Sequence, residues 1–319
     1  MGKSKHTVLL CLFLLGTIGK VMAYDCGSGE DCQFTYDPNA YARTSIGVSD
    51  WRNNDYGRIT SEDSTSSPDP SASVNESLTI TSPVNLGTFS GGGSASTKNL
   101  AVKLSLPATP NTWNPDINNM NTGSSAEAAF TEYFYYKGSG VGKITYRFNI
   151  TGTIEFSDPN YIGPPIQMDT RLSLWNRYPL TFPYTTSDNF EIIFDDYWPD
   201  TWGGTDFYKN YNFNYEFGLT VDYEFGVENM SYLQLATRAS FLEPGTPAVT
   251  VDFSNTVTYY VEKLIDPIGQ EMNLIDPETG VLLLEAATGA NYSVPIPGAV
   301  WLLGSGLIGL VGFRKKFKK

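Results

Sequence analysis

The side chains best able to do chemistry crowd one stretch, 188–206, which reads DNFEIIFDDYWPDTWGGTD. Asp195, Asp196, Asp200 and Asp206 surround a turn that also holds Tyr197, Trp198, Trp202 and the pair Gly203-Gly204. Clustered loop carboxylates supply the oxygen ligands that Ca2+ prefers, although the spacing is not that of an EF-hand. A calcium site therefore competes with plain solvated turn carboxylates. The aromatic residues permit a second chemistry. Indole and phenol rings present an apolar face able to stack on a sugar ring. Trp198, Trp202 and Tyr197, with Trp175 upstream, form a candidate glycan-binding set, and edge packing under a long loop is its alternative. A third chemistry is glycoside hydrolysis by a pair among Asp195, Asp196 and Asp200, which needs two carboxyl groups roughly 5–10 Å apart.

Other chemistries are excluded by composition. The single histidine is His6, which lies in the expected leader. The chain beyond it has no Ser-His-Asp triad, no histidine-ligated zinc and no histidine base. Residues 1–23 have a basic start (Lys3, Lys5), an apolar run from Val8 to Ile18, and Val21-Met22-Ala23. That order predicts a signal peptide removed before Tyr24. Cys26 and Cys32 then stand near the new N-terminus. In an oxidising compartment they predict a small disulfide loop rather than a redox centre.

The other end carries a second address. Val294 to Lys319 reads VPIPGAVWLLGSGLIGLVGFRKKFKK: a proline-broken turn, an uncharged apolar run, and a closing cluster of Arg314, Lys315, Lys316, Lys318 and Lys319. The run predicts a short membrane helix whose basic end stays cytoplasmic. An ordinary C-terminal anchor would use the same physics. The order of blocks resembles the PEP-CTERM family of sorting tails in its VPLPA-like variant. Val294, Pro295 and Pro297 match the motif, and Ile296 stands where the commonest form has Glu. The resemblance implies a bacterial chain exported past signal peptidase, held briefly in the inner membrane, and cut by an exosortase-type protease for delivery to the cell surface or beyond.

Both ends taken away, eight of the 21 basic residues leave and no acidic one does. The remaining 13 basic and 34 acidic residues give a net charge of −21. Such a body repels nucleic acid and anionic membranes.

Between the ends the dominant period is two. It shows in Leu100–Leu106, in Ile144–Phe156, in the long run Tyr211–Val227, and in Leu233–Phe241 and Val249–Val261. One face buried and one wet is the pattern of antiparallel sheet. The run from 211 to 227 exceeds an ordinary strand, and Gly218 offers it a place to bend. Ser61–Ser73 (SEDSTSSPDPSAS) and Ser90–Ser96 (SGGGSAS) lack core formers and predict mobile loops at the sandwich edge. Tyr41–Ile59 and Trp113–Asn121 show only loop and edge-strand content. Asp266-Pro267-Ile268-Gly269 and Asp276-Pro277-Glu278-Thr279-Gly280 have turn chemistry, since proline presets φ and glycine accepts a positive one. They frame a last hairpin and a final apolar strand, Val281–Leu284. The strands SSAEAAFTEYFYY, YRFNITGTIEF and VDFSNTVTYYVEKLIDPIGQEM also look like the bodies of PEP-CTERM cargo proteins.

The expected fold is all-β: one antiparallel, jelly-roll-like β-sandwich over 24–285, with an N-terminal signal helix and a C-terminal transmembrane sorting helix. Residues 286–293 are expected to be a linker. The expected function is a non-catalytic surface or matrix role with polysaccharide as partner. A calcium-assisted carbohydrate-binding module and a carboxylate-dependent glycosidase are the alternatives.

Overall fold

The computed structural model describes residues 34–50, 54–82, 84–113, 122–159, 166–178, 185–195, 210–241 and 244–293. The signal peptide, Cys26 and Cys32, the acidic-aromatic turn from Asp196 to Asp206, and the sorting tail lie outside them. No helix occurs among the described residues.

The strands are β1 (Asn39–Ser49), β2 (Asp55–Ser66), β3 (Ser71–Ile80), β4 (Gly87–Ser96), β5 (Asn99–Leu106), β6 (Gly123–Tyr136), β7 (Gly140–Phe156), β8 (Ile166–Tyr178), β9 (Thr185–Asp195), β10 (Tyr211–Phe225), β11 (Asn229–Phe241), β12 (Val249–Ile265), β13 (Glu271–Met272) and β14 (Leu284–Ala286). They form two antiparallel sheets. The first runs β2-β1-β6-β11-β8-β9 with β14 beside β6, and the second runs β10-β7-β12-β5-β4-β3 with β13 beside β12. The pairs β5:β12, β6:β11, β7:β10 and β8:β9 nest inside one another and fall alternately in the second and first sheets. One long hairpin rolled across two sheets gives this order, which is the winding of a jelly roll. The hairpin β1:β2 widens the first sheet beyond β6, and β3:β4 widens the second beyond β5.

Aromatic side chains fill the space between the sheets, as the alternation requires. Phe148 stacks on Phe217 at 5.5 Å, Phe134 meets Tyr146 at 5.9 Å, and Phe89 meets Phe241 edge-on at 6.0 Å. Trp113, read above as loop content, is buried against Phe241 at 6.0 Å and closes one part of this core. β1 was equally hidden in the sequence. Its inward residues include Ala40, Ala42, Ile46 and Val48, so small side chains mask the period of a fully paired inner strand.

Three expectations are corrected. Ser61–Ser66 belongs to β2 and Ser71–Ser73 to β3, so most of the Ser/Asp-rich stretch is edge strand rather than mobile loop. Its backbone pairs with β1 while its polar side chains face water, a composition that also discourages edge-to-edge association. Ser90–Ser96 is the body of β4, paired on both sides. Its glycines bring β4 close to the small-residue strand β6, where Ser124 Oγ donates to the Ser90 carbonyl at 2.8 Å. Gly218, the place the sequence offers β10 to bend, carries no register shift in the pairing with β7. The irregularities fall in β12 instead, around 253–257 and 261–263.

The third correction concerns the supposed linker. Val281 is exposed, and the last strand is Leu284–Ala286, which pairs with Phe134–Tyr136 of β6. The chain then continues as a packed strap. Ala287 N donates to the Tyr133 carbonyl at 2.9 Å, and Val261 N donates to the Tyr292 carbonyl at 2.7 Å. Tyr292 is 2% exposed, with its ring 5.0 Å from Phe134 of the first sheet and 5.6 Å from Tyr259 of the second. The domain therefore extends to Ser293, because an apolar ring at 292 has a place between the sheets.

Candidate glycan-binding face

The outward residues of the first sheet fall into rows set by strand register. Tyr232 of β11 stands across from Trp175 of β8, and their rings lie 5.2 Å apart at 41°. On the other side of Tyr232 comes Thr131 of β6, then Asn39 of β1. One row away, Tyr36 stacks on Tyr133 at 5.5 Å and 22°. The segment carrying Tyr36 is tied down by Glu228, which accepts from Thr35 N at 3.1 Å and Tyr36 N at 3.3 Å. One row the other way the sheet carries Tyr41, Ala129, Gln234 and Ser173. Thr131, Ala129 and Ser173 stand among these half-buried rings. Such a platform suits a flat, amphipathic ligand such as a pyranose ring.

The polar groups of this face are held in place. Gln234 Nε2 donates to Glu127, which also lies across β1 from Arg43. Arg238 Nε donates to Asp169 at 2.6 Å. Burial, followed by the charge of Glu127, pushes the Tyr41 hydroxyl up to about 12. Burial also pushes Tyr133 up, with Glu228 adding to the shift. Both phenols are neutral near pH 7 and so available as hydrogen-bond donors.

Of the residues singled out in the sequence, Trp175 lies on this face, half-buried against Tyr232. Asp195 is the last residue of β9, paired with Asp169. Trp175 pairs with Asp188, near the opposite end of the same strand. Seven residues at ~3.3 Å each place it roughly 20 Å from Asp195. That distance concerns Asp195 alone of the acidic group. Tyr197, Trp198, Trp202, Asp196, Asp200 and Asp206 lie outside the described residues. Among the described residues no three His, Cys, Asp or Glu side chains converge as a metal site would. The sequence reading missed Tyr36, Tyr41, Tyr133 and Tyr232. The last two stand on the opposite parity from Phe134 and Leu233, a signal that separates outward aromatics from core ones.

A second polar cluster lies inside the sandwich. Glu132 is fully buried and accepts from Thr288 Oγ1 at 2.6 Å, Tyr292 OH at 2.8 Å, Tyr133 N at 3.1 Å and Thr288 N at 3.3 Å. Tyr146, Tyr259 and Lys98 also act on it electrostatically. Lys98 stands 4.8 Å over the Tyr292 ring and donates to the Asn291 carbonyl. Three of these four hydrogen bonds come from the strap, so Glu132 reads as a structural carboxylate.

It predicts a pH effect. Burial outweighs the four hydrogen bonds and holds the Glu132 carboxyl above the ordinary glutamate value of 4.5. The folded state then binds the proton more tightly than the unfolded chain. That contribution to stability is complete below 4.5 and is lost as pH rises through the folded value. Glu127 and Glu228 are raised in the same direction, also by burial first. Asp252 is lowered, because Lys103 and Ser254 together outweigh its burial, and it opposes the trend only in more acid solution. Thermal melts from about pH 8 to about pH 5 should therefore show a rising midpoint. Glu132→Gln should flatten that rise, and an unchanged slope in this variant would remove Glu132 as its source.

No protein-family model matches the chain, and no curated protein sequence does. Among solved structures it is similar to a carbohydrate-binding module of the β-sandwich superfamily, at 12% identity over 71% of this chain and 76% of that one, with a TM-score of 0.19. It is also similar to the VP2 subviral particle of infectious bursal disease virus, at 10% identity over 85% of this chain and 72% of that one, with a TM-score of 0.11. Scores this low carry no functional argument, and the description of the fold rests on the strand order itself.

Proposed function

We propose that the protein is an exported, non-catalytic surface or matrix component that binds polysaccharide through the outer face of β6, β11 and β8. The observation that carries this reading is the cross-strand pair Trp175–Tyr232, with Tyr36–Tyr133 one row away, on the wet side of a closed jelly roll. Aromatic residues on that side add little to the core, which is filled from the inner faces. Rings fixed by strand register offer stacking surface at low ordering cost. The tail and leader supply the address: signal peptidase first, then the inner membrane briefly, then an exosortase-type protease.

The test is a glycan array probed with the purified full chain, with and without calcium, beside the Trp175→Ala/Tyr232→Ala double variant. Saturable binding without turnover is expected. The double variant should weaken it roughly 30-fold or more, as loss of a ~2 kcal/mol hot spot requires. Binding unchanged in a folded double variant would move the site off this face. Turnover abolished by Asp195→Asn would instead establish the glycosidase reading.

A further inference from the structure

The two aromatic pairs of the outer face stand in a fixed relation. Tyr133 of β6 is the register partner of Met230 of β11, two residues along that strand from Tyr232. Tyr232 is in turn the register partner of Trp175 of β8. Strands lie ~4.8 Å apart and rise ~3.3 Å per residue, which puts Tyr133 roughly 8 Å from Tyr232 and roughly 12 Å from Trp175. The centre of the Trp175–Tyr232 pair is therefore roughly 10 Å from Tyr133, along a line oblique to the strands. Tyr36, stacked on Tyr133 at 5.5 Å, enlarges the second contact point. All four rings are half-buried, so each keeps part of its surface in water.

The charged groups around these rings are mixed in sign. Asp169 pairs with Arg238 and precedes Arg171 by one pleat step on β8. Asp188 is the register partner of Trp175, and Glu228 lies diagonal to Arg177. Arg43 has Glu62 and Glu127 across its two flanking strands. With both signs interspersed, this face has no single-sign field to select an anion or a cation. Its distinguishing feature is an oblique line of rings with polar positions to either side. Arg177 and Glu228 flank that line on one side, Thr131 and Gln234 on the other.

Building on the glycan-binding reading, we infer that the ligand is an extended chain of diequatorially linked pyranoses, such as a β-1,4-glucan, laid obliquely across β8, β11 and β6. In such a chain successive rings are turned over, so the same ring face recurs at every second sugar. The separation of the two aromatic pairs is about the length of that disaccharide unit. The chain is also a flat ribbon, with axial C–H groups on its faces and hydroxyls along its rims. The faces meet the aromatic rings and the rims meet the polar positions beside them. A helical α-1,4 chain or a coiled β-1,3 chain seated on one pair curves away from the other. Two modest contact points at a fixed spacing then act as linked sites, the second engaged at the effective concentration set by the first.

The experiment is calorimetric titration of the full chain with the β-1,4-linked glucose di-, tetra- and hexasaccharides, and with the β-1,3- and α-1,4-linked hexasaccharides. Affinity should rise tenfold or more from the β-1,4 disaccharide to the tetrasaccharide, which is long enough to reach both pairs, and little beyond it. The other two hexasaccharides should bind no better than the β-1,4 disaccharide. Tyr36→Ala should remove the rise and leave disaccharide binding at Trp175 and Tyr232 unchanged. Its segment is held through backbone N–H groups on Glu228, so that anchor survives the substitution. Tyr133→Ala is the second variant and should act in the same way. Equal affinity for the three linkages, or no rise with chain length, overturns the extended-chain inference and leaves glycan binding standing. A rise that persists in both tyrosine variants also overturns it, because the second contact then lies elsewhere. No binding of any saccharide overturns this inference and the proposed function together.

Discussion

Tyr292→Ala should lower the unfolding free energy by about 3–5 kcal/mol, the range for deleting a large buried aromatic side chain. The ring lies between Phe134 of one sheet and Tyr259 of the other, and little around it can collapse into the space it leaves. Its hydroxyl is also one of the donors that hold the buried carboxylate of Glu132. Tyr292→Phe keeps the ring and removes only that donor, so about 1–3 kcal/mol is expected from it. Urea unfolding of both variants separates the packing part from the hydrogen-bond part. The prediction extends to truncation. A chain ending at 293 should melt near the full-length protein, whereas one ending at 283 loses β14, Thr288 and Tyr292 together. If Tyr292→Ala stays within about 1 kcal/mol of the parent, the strap lies outside the cooperative unit. For a sorted protein the consequence is positional. The strap is packed through Tyr292, so on the proposed sorting reading a cut that releases an intact domain is expected after Ser293.

Much of this architecture could be read from the residues alone, and the failures share one cause. The period of two identified β5, β7, β10, β11 and β12, because long apolar side chains advertise the inward parity. It failed where the inward residue is small. β1 buries Ala40 and Ala42, β4 buries Gly91 and Gly93, and such strands have no amplitude in a hydrophobic pattern. Composition then misled, since Ser, Gly and Asp are read as loop formers although a paired backbone needs no apolar side chain. The strap was hidden differently. Its few buried groups, Leu284, Ala286 and Tyr292, are too sparse for any period and are fixed by partners more than 100 residues away. The candidate site was half legible. Trp175 stood out as a large aromatic, but its partner Tyr232 joined it only when β8 and β11 were placed in register. Sequence proximity cannot show that pairing, because Tyr232 lies on a strand from elsewhere in the chain.

Gly93→Ala is expected to cost about 3 kcal/mol, a large loss for one added methyl group. A Cβ at this position would sit 2.3 Å from the carbonyl oxygen of Glu127 and 3.0 Å from its carbonyl carbon. Those are backbone atoms of β6, an inner strand paired on both sides, so no rotamer change can relieve the contact. The sheets must separate locally, and the loss spreads to Ala126 and Ala128, which are packed at the same close approach. Two neighbours calibrate the argument. At Gly91 the nearest atoms are Thr44 Oγ1 at 2.2 Å and Ser124 Oγ at 2.8 Å, both ends of side chains that can turn, so Gly91→Ala should cost less than Gly93→Ala. At Gly218 nothing approaches nearer than 3.5 Å, and alanine there should be nearly neutral. Chemical denaturation of the three variants gives the ranking directly. The order 93 above 91 above 218 is the signature of a fold whose two sheets are spaced by the absence of side chains on β4. A flat series would mean that intrinsic strand propensity sets the cost, and that SGGGSAS is a strand for reasons other than this close approach.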